Sequence, residues 1–235
     1  MDKMRWEAAK QAALRAERAG IGTLGEKGVH AALKYYFAPD PADHERPVAG
    51  FVADIAREDG IVEIQSRQFR HLDDKLAAFL PLGPVTVVYP VIVEKRLLWV
   101  DETGEVIRTR KSNKKGRPAD LLAELYGIRR HLEAPGLSFH IVLLTAEEVR
   151  ERHGRTVKRG ELLPGDLQGE MRLSAGETGA LAPELPRGAF TAKEFAKAAG
   201  YRPREGSFAL QTLVQLGLIR RAGTRGKAYL YEKSE

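Results

Sequence analysis

Residues 51–65 read FVADIAREDGIVEIQ. Apolar and polar positions alternate on both sides of Glu58-Asp59-Gly60, the pattern of two half-buried strands joined by a tight turn. With Asp59-Gly60 as a two-residue turn, Glu58 pairs with Ile61, Ala56 with Glu63, and Asp54 with Gln65. Successive side chains of a strand point to opposite faces, so Asp54, Ala56, Glu63 and Gln65 share one face. Phe51, Ala53, Ile55, Val62 and Ile64 make an apolar face behind it. In that register Asp54 and Glu63 are diagonal cross-strand neighbours, their Cβ atoms about 7 Å apart or less. Two carboxylates at that separation can converge on one hard cation, and acids flanked by core residues need a counter-charge. The same face also suits a solvated hairpin whose acids pair with Arg57 or Arg67.

Working outward, Trp6, Ala9, Ala13 and Ala16 recur at helical spacing among charges and predict an amphipathic helix over 3–19. Gly20-Ile21-Gly22-Thr23-Leu24-Gly25 follows, and a second helix runs from about Leu24 to Phe37. The glycines match a dinucleotide fingerprint in letters only, because a charged helix precedes them where a strand is required. Residues 38–47, with three prolines, read as a loop entering the sheet. After the hairpin come a helix at 69–80, a buried strand at 85–93, a ribbon of 97–100 with 105–109, a helix near 119–132 and a strand at 138–144. The order α-β-β-α-β makes the first 150 residues a mixed α/β domain. The glycines and prolines between 151 and 187 read as a linker or irregular connector, and 188–235 as a small separate domain.

The chain has 235 residues, 38 basic against 32 acidic, a net charge of +6. It has no cysteine, which removes disulfide frameworks, cysteine-based zinc sites, iron–sulfur clusters and cysteine nucleophiles together. The longest apolar run, from Pro81 to Val93, is about 13 residues broken by three prolines, too short to span a bilayer. Residues 1–19 lack the apolar centre of a signal peptide, and the expected location is cytoplasmic. From Arg187 onward ten basic residues face four acidic ones, so this tail carries the whole excess. A second run, 108–117, holds six basic residues in ten and no acid. Two basic zones point to a polyanionic partner, nucleic acid above all.

The hairpin resembles the PD-(D/E)XK nuclease superfamily, whose restriction-endonuclease-like fold is an αβββαβ core around a mixed central sheet. Asp54 matches the first acid of its motif, Glu63 the second, and Ile64 the apolar residue between. Glu26, in the helix before, matches the additional glutamate of many members, and Gln65 stands in the lysine position. The resemblance covers about residues 20–95. It implies divalent-metal-dependent cleavage of DNA, with Asp54, Glu63 and the Ile64 carbonyl holding Mg²⁺ or Mn²⁺. Gln65 would position the attacking water and Glu26 would order a second metal or its hydration shell. The missing positive charge would come from Arg67, Arg70 or Lys75. The alternative is a non-catalytic DNA-binding or regulatory protein with a degenerate nuclease-like domain.

At the other end, Thr191 and Glu194 have capping-box spacing before a helix to about Ala199. A second helix runs over 205–216, and two short strands enclose Gly223 to Gly226. The stretch LVQLGLIRRAGTRGKAYLY (213–231) resembles a winged helix-turn-helix, with its first helix within 166–185 or missing. The resemblance implies DNA contacts from Arg204, Ser207, Gln211 and Gln215 on the second helix, and from Arg221, Arg225 and Lys227 on the wing. Lys114 and Lys115 of the internal basic run join them as nucleic-acid contacts. The partner expected is DNA and not a membrane, with a homodimer left open.

Overall fold

A computed structural model describes residues 2–18, 28–153 and 156–234. The glycine turn at 20–25 and Glu26 lie outside the described residues. The protein is of mixed α+β class and divides into two compact units, each assembled from three stretches of chain. The first comprises Met1–Ile64, Val88–Arg117 and His140–Met171; the second comprises Gln65–Val87, Pro118–Phe139 and Arg172–Glu235. Among the described residues no helix is long and apolar enough to cross a membrane.

The first unit opens with helices α1 (Lys3–Arg18) and α2 (Gly28–Phe37), followed by β1 (His44–Val48), β2 (Phe51–Arg57) and β3 (Gly60–Ile64). Further along come β4 (Val85–Val100), β5 (Val106–Lys111), β6 (Leu137–His153) and β7 (Thr156–Ser174). These strands form a mixed sheet in the order β1-β2-β3-β4-β6-β7, with β5 pairing β4. The helices bury the sheet's apolar face. Trp6, Ala9 and Ala13 of α1 and Val29, Leu33 and Tyr36 of α2 pack with Ile55, Val62, Ile64, Val88, Val142 and Leu167. Trp6 lies edge-on to Tyr36, with centroids 5.6 Å apart, and its indole N–H donates to the Gly165 carbonyl at 2.8 Å.

Two strands occupy stretches expected to be irregular. β1 falls inside the supposed loop and pairs antiparallel with β2, with Pro47 opposite Val52. β1 lies at the end of the sheet order, where a proline without an N–H does no damage to the ladder. Its turn to β2 uses Ala49 and Gly50, both at positive φ (46° and 83°), as a tight hairpin turn requires. β7 fills most of the supposed connector. Its glycines are there for close approach: a Cβ at Gly165 would collide with Thr145 of β6, its carbonyl oxygen only 2.9 Å away. A Cβ at Gly169 would stand 3.2 Å from Leu143. Glycine in a strand marks a place where another backbone or side chain comes near.

The second unit contains α3 (Asp73–Phe79), α4 (Leu121–Leu125), β8 (Phe190–Thr191), α5 (Ala192–Ala198), α6 (Pro203–Gln215), β9 (Ile219–Arg225) and β10 (Ala228–Lys233). β8, β10 and β9 form a three-stranded sheet in that order. Thr191 and Glu194 make the reciprocal capping box expected of them at the start of α5. The helix expected at 119–132 is instead α4 between two 3-10 segments, Pro118–Asp120 and Tyr126–His131. The break lies at Ile128 (φ −125°, ψ 21°), beside Gly127, where a Cβ would sit 2.5 Å from the Arg70 amide nitrogen. α4 packs on α6: Leu121, Leu122 and Leu125 are fully buried, and the Tyr201 hydroxyl donates to the Ala119 carbonyl at 2.5 Å. The first helix of the C-terminal group was expected within 166–185 or missing; that stretch holds a 3-10 helix, Ala175–Leu181, and α4, from before β6, packs on α6 beside α5.

Candidate functional site

The β2–β3 hairpin pairs Ile55 with Val62, Ala56 with Ile61 and Arg57 with Gly60. This is a slip of two residues from the register expected from Asp59-Gly60. The turn residues are Glu58 and Asp59, and the positive φ that the turn needs falls on Gly60 (141°). A slip of two leaves every side chain on its expected face, whereas a slip of one would have reversed them all. Its effect is to bring the acids closer in register. Asp54 and Glu63 are the next residues on each strand beyond the Ile55–Val62 pair.

At this level the carboxylates take up backbone amides. The Asp54 amide donates to Glu63 Oε1 at 3.2 Å, and the Ile64 amide donates to Asp54 Oδ2 at 2.7 Å. Each acid thus fixes the strand that carries the other, and each amide is satisfied where water has little access. Glu63 is 2% exposed, an unusual depth for a glutamate. Like charges held close on adjacent strands repel, so this pair of acids favours a cation. Arg57 does not provide it: its guanidinium binds Asp59 at 3.0 Å and the Phe37 carbonyl at 2.9 Å.

α2 supplies two residues that the hairpin pattern did not single out. His30 Nε2 lies 3.3 Å from Asp54 Oδ2. Lys34, one helical turn on and only 5% exposed, binds Glu45 of β1 at 3.1 Å. Their spacing of four residues places them on one face of the helix; that spacing is the signal the sequence held for them. Gln65 follows β3 and belongs to the second unit, where its side-chain amide donates to the Arg67 carbonyl. Of the four expected catalytic residues the structure therefore brings together Asp54 and Glu63, while Glu26 lies outside the described residues.

The oxygen donors at the hairpin are the two carboxylates and the Ile64 carbonyl, the kind of group that could hold a hard ion such as Mg²⁺ or Mn²⁺. Among the described residues no three His, Asp or Glu side chains are already gathered as a metal shell. A coordination sphere here would draw on the carbonyl and on water besides the two acids.

The expected nucleic-acid contacts fall in both units. In the first, Lys114 and Lys115 are exposed, just past β5, all of whose residues are exposed too. Trp99 of β4 is approached by two guanidinium groups, Arg108 at 5.3 Å and Arg150 at 5.4 Å from its ring centre. Arg150 also donates to Glu148 at 2.9 Å, and Lys95 binds the same carboxylate. In the second unit Arg204 and Gln211 of α6 are exposed and Ser207 is half-buried. Gln211 reaches the Tyr231 hydroxyl at 3.3 Å. Arg221 is exposed and lies over the Tyr229 ring at 3.5 Å, and Lys227 is exposed in the β9–β10 turn. Arg225 is occupied by Glu194 at 2.8 Å and by the Ala189 carbonyl.

A protein family described as "Domain of unknown function (DUF8091)" matches residues 27–164, a span that includes the hairpin, α2 and the β4–β5 ribbon. An uncharacterized protein of Treponema pallidum (strain Nichols) is 31% identical over 223 residues, 91% of this chain and 87% of its own length. No solved structure matches the chain. The chain belongs to the DUF8091 family.

Proposed function

We propose that this DUF8091-family chain hydrolyses phosphodiester bonds of DNA with a divalent metal ion, using a restriction-endonuclease-like core and a C-terminal winged helix that binds the substrate. The observation that carries the reading is the pair of hydrogen bonds that brings Asp54 and Glu63 together on adjoining strands, the Asp54 amide to Glu63 and the Ile64 amide to Asp54. The order helix, three antiparallel strands, helix, strand over residues 28–100 agrees with it. β8, α5, α6 and the β9–β10 ribbon support the winged-helix reading, and α4 packs on α6 as a further helix.

Asp54, Glu63 and the Ile64 carbonyl would hold Mg²⁺ or Mn²⁺. A bound divalent ion lowers the pKa of a water and stabilises charge developing on the phosphate. The chain's own part is to keep the acids in place. The Ile64 amide pins Asp54, and the Asp54 amide pins Glu63, so neither carboxylate must be ordered when substrate arrives. His30 of α2 brings to Asp54 a polarisable group that Gln65 lacks, while Lys34, one turn on, binds Glu45 of β1.

The test is cleavage of supercoiled plasmid with Mg²⁺ or Mn²⁺, wild type beside Asp54→Asn and Glu63→Gln, both of which retain an acceptor for the amide. Nicked or linear product from wild type alone supports the assignment; equal cleavage by either variant refutes it. A second reading, a DNA-binding protein with a silent nuclease fold, is favoured by one contact. The Gln65 amide is spent on the Arg67 carbonyl, where a catalytic glutamine would hold a water. Plasmid shifted in a gel but left intact under every metal would select that reading.

A further inference from the structure

We infer that the second unit carries a duplex-DNA contact surface built on a four-membered stack, in which Arg129 is a phosphate-binding residue. The inference rests on the reading of the C-terminal group as DNA-binding and extends it to a segment far away in sequence. Phe208 of α6 stacks on Tyr126 with ring centres 4.7 Å apart and planes 9° from parallel. Arg204 lies over the outer side of this pair, 5.3 Å from the Phe208 centre, and Arg129 lies 4.6 Å from the Tyr126 centre. The order is Arg204, Phe208, Tyr126, Arg129.

Both guanidinium groups are exposed, and neither makes an ion pair among the described residues. Arg129 spends one N–H on the Tyr126 carbonyl at 3.2 Å. Neighbouring arginines behave otherwise: Arg130 is held by Asp73 at 2.9 Å, Arg225 by Glu194, and Arg220 by Glu232. A guanidinium stacked on a ring keeps its N–H edge open while losing the rotamer freedom that binding would otherwise have to remove. Two such groups, fixed and not neutralised from within, are suited to the planar fork recognition of phosphate oxygens. Arg221 over Tyr229 repeats the device on the β9–β10 ribbon.

The partner follows from charge and shape. The second unit has sixteen basic side chains against eleven acidic, and the stacked arginines lie on α6 and on the segment packed against it. A rigid polyanion with regularly spaced phosphates fits guanidinium groups held at fixed separation. An acidic peptide would have to order itself to match them.

The experiment measures binding of the full chain to a fluorescent 30-base-pair duplex by anisotropy over a series of KCl concentrations. Each phosphate contact contributes about 0.9 to the slope of log K against log salt. Arg129→Gln is therefore expected to lower that slope by about one and weaken binding, Arg204→Gln to do the same, and Arg129→Lys to restore the slope by restoring the charge. As a reading on the unmodified chain, duplex should protect Arg129 from phenylglyoxal, followed by peptide mass. An unchanged slope in a folded Arg129→Gln, or an unprotected Arg129, overturns the inference while leaving DNA binding elsewhere on the unit intact. Wild type that shows no salt-dependent duplex binding overturns both it and the reading beneath it.

Discussion

Asp54 has a structural task that can be separated from any catalytic one. Its Oδ2 accepts the Ile64 amide at 2.7 Å, and Ile64 is 4% exposed, so water has little access to that amide. Replacing Asp54 by alanine strands that N–H. Replacing it by asparagine keeps a carbonyl oxygen in the same position. Both substitutions remove the same negative charge opposite Glu63, so relief of that repulsion cancels when the two variants are compared. The remaining difference is the unsatisfied buried amide, about 1–3 kcal/mol. For a chain of this size, each kcal/mol moves Tm by about 2–4 °C. Asp54→Ala should therefore melt about 2–12 °C below Asp54→Asn in far-UV circular dichroism at one pH. Hydrogen exchange should localise the loss to the peptide containing Ile64. Equal Tm values for the two variants, with equal protection of that peptide, would refute the assignment of the amide to the carboxylate.

Two further predictions concern buried charges. Burial pushes the Glu124 carboxyl above its ordinary range, although the Gln68 and Phe69 amides donate to it at 2.6 and 3.4 Å. An acid raised on folding contributes most stability below the ordinary carboxyl pKa and loses it as pH climbs through the raised value. Glu124→Gln should thus raise Tm at neutral pH and flatten the melting curve's dependence on pH above 4, measured by scanning calorimetry. Glu148 is the opposite case: burial would raise it, but hydrogen bonds from Lys95 and Arg150 outweigh burial and hold it below its ordinary value. Lys95→Met should cost about 1.5–3 kcal/mol in urea unfolding at pH 7. That deficit should shrink as pH falls through the lowered value, because a depressed acid stabilises the fold only while ionised.

The sequence held the face of each hairpin residue and withheld the register. Period-two alternation alone places Asp54 and Glu63 together and Ile55, Val62 and Ile64 behind them, and these assignments survive in the structure. The pairing was decided by which residue could take a positive φ, and Gly60 fills that role from outside the turn, not within it. The capping box at Thr191 and Glu194 was equally legible, because it is a contact across three residues of chain. His30 and Lys34 were legible in principle, since their spacing shares a helix face, but only the tertiary packing shows that this face meets Asp54 of the hairpin and Glu45 of β1.

Other features are long-range by nature. Gly160, Gly165 and Gly169 read locally as chain-breaking residues; that they admit Val149, Thr145 and Leu143 of a neighbouring strand depends on residues about 10 to 26 positions away. Pro47 marks a loop until the strand carrying it is known to lie at the end of the sheet order. Tyr126 and Phe208 have no pattern linking them across 82 residues, yet together they hold Arg129 and Arg204 in one stack. Periodicity and capping are local energies that one segment settles by itself, so the sequence determines them. Register, close approach and the pairing of distant aromatics depend on which surfaces the whole chain can bury together, and the tertiary structure alone decides them.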